Sequence, residues 1–76
     1  MVAALERIPK LSAAELVVLK SIARNKTTSD IASELKVSPK TVENHRSKIC
    51  RKLGITGNNA LLRFALGCAP KIEEIS

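Results

Sequence analysis

Helix punctuation constrains this chain more than any other feature. Ser12 is a good N-cap, and Glu15 three residues later completes a capping box, in which each side chain accepts from the other residue's backbone N–H. Thr27 and Asp30 repeat the pattern. Ser38 supplies a third cap, with Pro39 at the first helical position, where a missing N–H costs nothing. Asn25 tolerates the left-handed conformation that ends helices, and Gly54 adopts it freely. Arg51 and Lys52 place positive charge near the negative dipole end before Gly54.

These signals predict helix one over about 13–24, helix two over 28–35 and helix three over 39–53. Leu11, Leu19 and Ile22 supply an inward stripe for the first; Ile31, Ala32 and Leu35 face inward from the second. Lys36, Val37 and Ser38 form a tight turn with an apolar centre. Gly57, Asn58 and Asn59 read as a loop and cap for helix four, over about 60–68, and Pro70 limits its extension. Pro9 breaks residues 1–10, which read as an N-terminal tail or linker. Residues 11–69 read as the folded domain and residues 70–76 as a frayed C-terminal tail. There is no strand signal and no internal repeat. The expected fold is all-α, a compact four-helix domain containing a helix-turn-helix.

The chain has 76 residues, enough for one small domain, and 45% of them are hydrophobic, too many for a disordered tail. Phe64 is the only aromatic residue, so the core must be aliphatic, and the composition argues against a base-stacking platform for single strands. Cys50 and Cys68 fall among apolar residues in expected helices and read as reduced thiols. No apolar run approaches the roughly 18 residues that span a bilayer, and no signal-peptide pattern opens the chain. The expectation is a soluble, cytoplasmic protein with no membrane association, no cofactor and no metal.

Charge points to a polyanion. The net charge is +6, and from Lys36 to Lys52 six basic residues stand against one acid, Glu43. At about 100° per residue, Val42, Ile49 and Leu53 form one narrow stripe on helix three. Lys40, Glu43, Asn44, Ser47 and Arg51 cluster opposite. Asparagine can bond adenine N6 and N7 together, lysine can donate to guanine, and glutamate can accept from cytosine N4. Lys40, Glu43, Asn44 and Ser47 are therefore the base-reading candidates, since the N-terminal part of a recognition helix reaches the base edges. Thr27, Thr28, Thr41, His45, Lys48, Arg51 and Lys52 are candidates for the phosphates. Glu43 repels phosphate, so it is either a base reader or a filter against wrong sequences. The bland alternative is a solvated polar face.

Arg46 lies on the apolar stripe and needs a partner. Glu15 shares the inward side of helix one, so a partly buried Glu15–Arg46 ion pair is expected to set the angle between helices one and three. The alternative is that Arg46 extends to the edge and reaches a phosphate. On helix four, Leu61, Phe64, Ala65 and Cys68 face inward, while Leu62 and Leu66 form a second stripe suited to a partner surface, the bland alternative being two isolated exposed leucines.

The segments LSAAELVVLKSIA, TTSDIASELKVSPKTVENHRSKICRKLG and ALLRFAL together resemble the LuxR/FixJ/GerE type of helix-turn-helix, over about residues 11–66. Members are bacterial transcription regulators, often the output domains of two-component response regulators. The resemblance implies a four-helix domain that binds duplex DNA as a homodimer. It maps the family's base-contacting positions onto Lys40, Glu43, Asn44 and Ser47, its dimer contact onto the helix bearing Leu62 and Leu66, and its buried glutamate onto Glu15. It also brings RNA polymerase and an N-terminal regulatory domain into view as partners. In a longer protein that domain would block or release helices three and four; a protein of this length would act alone. Ala13 and Ala14 stand where proline and arginine are common, Asn25 replaces a usual glycine, and Glu43 replaces a frequent basic residue. The last departure leaves the operator open.

Three other readings fit less of the chain. An enzyme lacks parts: His45 is the only histidine, the cysteines lack metal-ligand spacing, and His45 and Cys50 stand about 140° apart on their helix. A helical protein-interaction module would use helix four and leave the basic charge incidental. A sigma-factor-like promoter-binding helix-turn-helix shares the LS-xxE-xxVL and IA-xxL-x-VS patterns, but TVENHRSKICRKLG fits the LuxR type better.

Overall fold

A computed structural model of the chain describes residues 6–56 and 59–75. A short 3-10 turn, Ile8–Lys10, precedes α1 (Ala13–Ala23), α2 (Thr28–Leu35), α3 (Pro39–Leu53), α4 (Ala60–Gly67) and α5 (Ala69–Glu73). The fold is all-α, with no strand among the described residues. The four expected helices form, and a short fifth follows them. No described helix is long and apolar enough to cross a membrane.

The helix starts follow from local chemistry. Ser12 Oγ accepts from the Glu15 N–H at 3.2 Å, and Glu15 Oε1 accepts from the Ser12 N–H at 2.9 Å. Thr27 and Asp30 form the same reciprocal pair at 3.0 and 3.2 Å. Ser38 Oγ accepts from the Thr41 N–H at 3.2 Å. Each interaction satisfies a first-turn donor that the helix itself leaves unpaired.

The first three helices also end alike. A left-handed residue turns the chain: Asn25 (φ 62°), Lys36 (φ 59°) and Gly54 (φ 72°). The following N–H then bonds back into the last turn, from Lys26 to the Ser21 carbonyl, Val37 to that of Ala32 and Ile55 to that of Cys50, at 3.1, 3.0 and 2.9 Å. These are Schellman motifs, which occupy carbonyls that would otherwise be orphaned. Lys36 carries no sequence signal for this role, because a lysine in the left-handed region costs about 1–2 kcal/mol. Lys36→Gly is therefore expected to raise stability by about 1 kcal/mol, a gain of several degrees in Tm for a domain of this size. An unchanged or lower Tm would mean that the turn carries no such strain.

α1 is the central element and packs against α3, α4 and α5, while α2 packs against α3. Val18, Leu19, Ile22, Ile31, Val42 and Ile49 are wholly buried, and Leu61, Phe64 and Ala65 close the core from α4. Several expectations need correction. Leu35 is 37% exposed, because α2 ends as it leaves the core. Asn59 occupies the cap position of α4 but makes no side-chain cap bond, since its backbone is left-handed (φ 59°). Gly57 and Asn58 lie outside the described residues.

Among the described residues, both flanks contribute side chains to the core. Ile8 is buried in the core. Pro70 does not end the helical chain; it occupies the opening turn of α5, where its missing N–H is harmless. Ile72 is fully buried, and Arg24 donates to both carboxylate oxygens of Glu73 at 2.7 and 2.9 Å, tying α5 to the end of α1.

Candidate nucleic-acid interface

α3 separates its two faces cleanly. Val42, Ile49 and Leu53 are buried against the other helices, whereas Lys40, Glu43, Asn44 and Ser47 are all exposed. The structure thus brings the four base-reading candidates together on one solvent-facing side. Pro39 and the Ser38 cap hold the first turn of that face, and the Ser38 and Thr41 hydroxyls lie 3.0 Å apart.

The phosphate candidates spread around this face. Lys48 and Arg51 are exposed, and Thr41 and His45 are half-buried along the edges. At the opening of α2, Thr27 is exposed and Thr28 half-buried. The Thr27 hydroxyl oxygen accepts from the Asp30 N–H, which leaves its own hydrogen free to donate. Next to Thr27, Lys26 pairs with Glu34 of α2.

Lys52 behaves differently from the rest of its set. Its ammonium donates to Glu15 Oε1 at 2.7 Å, so the buried glutamate of α1 pairs with Lys52 and not with Arg46. The expected Glu15–Arg46 pair is corrected accordingly. Lys52 lies six positions beyond Arg46, about 9 Å along the axis. The C-terminal end of α3 meets the start of α1, and a long lysine reaches Glu15 from the flank of the stripe. Arg46 is left alongside the opening turn of α4, where it lines an open pocket with Ser47, Cys50 and Leu61.

The Glu15 carboxylate is 5% exposed and is held below the usual carboxylate range. The hydrogen bond from Lys52 is the main cause and the Ser12 N–H the next, with burial opposing both. Burial pushes the Cys50 thiol up, against the pull of the Arg46 charge, so it is no reactive thiolate. Arg7 is a contact that sequence reasoning missed: its Nη1 donates to the Leu53 carbonyl at 3.4 Å, at the negative end of α3. Nothing but its charge marks it in the sequence.

Residues 9–65 match the family model described as bacterial regulatory proteins, luxR family. The chain belongs to the LuxR family. That family's helix-turn-helix is a DNA-binding, transcription-regulating domain. Among curated LuxR-type relatives, the chain is 45% identical over 51 residues to the spore germination protein GerE of Bacillus subtilis, covering 67% of this chain and 69% of that protein. It is 43% identical over 56 residues to the oxygen regulatory protein NreC of Staphylococcus aureus, covering 74% of this chain but 26% of that protein. The chain thus spans only about a quarter of the length of NreC. No solved structure matches it. The match to the LuxR family stops before α5, so the docking of Ile72 is a feature of this chain outside the matched span.

Proposed function

We propose that this domain binds duplex DNA in a sequence-specific manner to regulate transcription, with α3 in the major groove. The observation that carries the reading is the exposed α3 face, where Lys40, Glu43, Asn44 and Ser47 stand together above a buried stripe. Lys48 and Arg51 with Thr27, Thr28, Thr41 and His45 meet the flanking phosphates and supply salt-dependent affinity. Lys52, bonded to Glu15, contributes charge to that flank and holds the helix.

Dimerisation follows α4. Leu66 is 43% exposed there, while Leu62 is half-buried and packs against the core, so Leu66 offers the greater apolar contact. The same reading makes the protein a cytoplasmic regulator, not an enzyme, working with RNA polymerase and under the control of an N-terminal domain such as response regulators carry.

Asn44→Ala tests the base-reading role. It is expected to weaken binding to the preferred duplex by about 1–3 kcal/mol while leaving binding to random duplex nearly unchanged. Lys48→Ala is expected to weaken both duplexes alike and to lower the salt slope by about 1. Fluorescence-anisotropy titrations over a salt series separate the two. Equal losses for Asn44→Ala on both duplexes would contradict its role.

A further inference from the structure

Arg46 is the one cation of α3 whose position neither packing nor the exposed groove face explains. It is half-buried, on the apolar side of its helix, and its guanidinium makes no ion pair among the described residues. A guanidinium carries five donors that need acceptors wherever water is restricted. The pocket beside it has a volume of about 430 Å³ and opens between α3 and the start of α4. Ser47, Thr56 and Asn59 add hydroxyl and amide groups, while Cys50 and Leu61 contribute apolar wall. Among the described residues, no carboxylate lines it. The guanidinium is therefore open to solvent and free of protein acceptors among the described residues, so an anion entering from outside can take the place of its water.

We propose that this pocket seats one phosphate of the DNA backbone, with Arg46 as its cation and the Ser47 and Thr56 hydroxyls as neutral donors. This rests on the DNA-binding reading above and adds to it a phosphate contact from the apolar side of α3. Ser47 makes the connection, since it belongs both to the exposed base-reading face and to the pocket wall. A duplex lying along that face brings its backbone to the pocket mouth. Guanidinium is suited to the task, because its planar fork matches two phosphate oxygens at once. The opening turn of α4 forms part of the same wall and has no side-chain cap, which leaves its donors open to the same group.

The test uses Arg46→Gln and Arg46→Lys with duplexes in which single phosphates are replaced by neutral methylphosphonates. Wild-type protein is expected to show one flanking position whose neutralisation weakens binding, and Arg46→Gln is expected to be insensitive at that position alone. Its salt slope is expected to fall by about 0.9, equivalent to a five- to tenfold loss at about 0.1 M salt, on preferred and random duplexes alike. Arg46→Lys is expected to restore most of the slope. Thermal melts of both variants guard against misfolding, and Thr56→Val provides a second route to the same position should Arg46→Gln unfold. The proposal is overturned if Arg46→Gln and wild type lose equally at every neutralised phosphate. It is overturned too if inorganic phosphate saturates the pocket by NMR titration while no duplex phosphate couples to Arg46, since the pocket would then serve a soluble anion. Failure of the DNA reading itself looks different: wild type would then show no salt-dependent duplex binding at all.

Discussion

Ile72→Ala is expected to lower stability by about 2–5 kcal/mol, the range for truncating a fully buried isoleucine. Ile72 has no exposed surface and sits on a five-residue helix that no propensity argument would sustain alone. Its burial, together with the Arg24–Glu73 pair, holds α5 against α1. The whole domain has only about 4–11 kcal/mol to lose at ordinary per-residue stability, so the melting temperature should fall by on the order of 10–20 °C. Leu66→Ala is the control. Its side chain is 43% exposed, and its melting temperature should stay close to that of the parent. Equal, small shifts for the two variants would show that α5 is not part of the cooperative unit.

Glu15→Ala is expected to cost about 2–4 kcal/mol, because one carboxylate does two jobs. It closes the capping box on Ser12 and receives Lys52 from the end of α3. The variant removes a first-turn acceptor and unties α3 from α1, so affinity for DNA is expected to fall along with stability. The effect depends on pH in a definite direction. The folded carboxyl is held below its ordinary value of 4.5, chiefly by Lys52. Its stabilisation is therefore complete above about pH 4.5 and is lost as pH falls through the lower folded value. Denaturant unfolding should show the gap between wild type and Glu15→Ala widest near neutral pH and narrowing in acid. Glu15→Gln keeps an acceptor without the charge and should fall between the two. An unchanged melting temperature for Glu15→Ala would contradict the role of this link.

What could be read from the sequence was what local chemistry decides. Ser12, Thr27 and Ser38 start helices through bonds that span three residues, and Asn25 and Gly54 stop them through their own backbone preference. The exposed face of α3 was legible for the same reason, since a helix wheel needs no knowledge of the neighbours. Lys36 shows where local preference gives way, for the tight approach of α2 and α3 forces a lysine into a conformation it does not favour. The partner of Glu15 was not legible either. A wheel gives angles, but the crossing of α1 and α3 decides which turn of α3 arrives at Glu15, and it is the turn of Lys52. Ile8 and Ile72 lay in short flanking segments without periodicity, and only tertiary packing reveals that both belong to the core.

Selection from random duplexes at moderate salt, followed by sequencing of the retained DNA, tests the central claim most directly. An enriched motif with two related half-sites is the predicted result; it would show that α3 reads bases and that two copies bind together. Retention without any enriched motif would contradict the account, because charge alone would then be holding the DNA and the exposed face of α3 would read nothing.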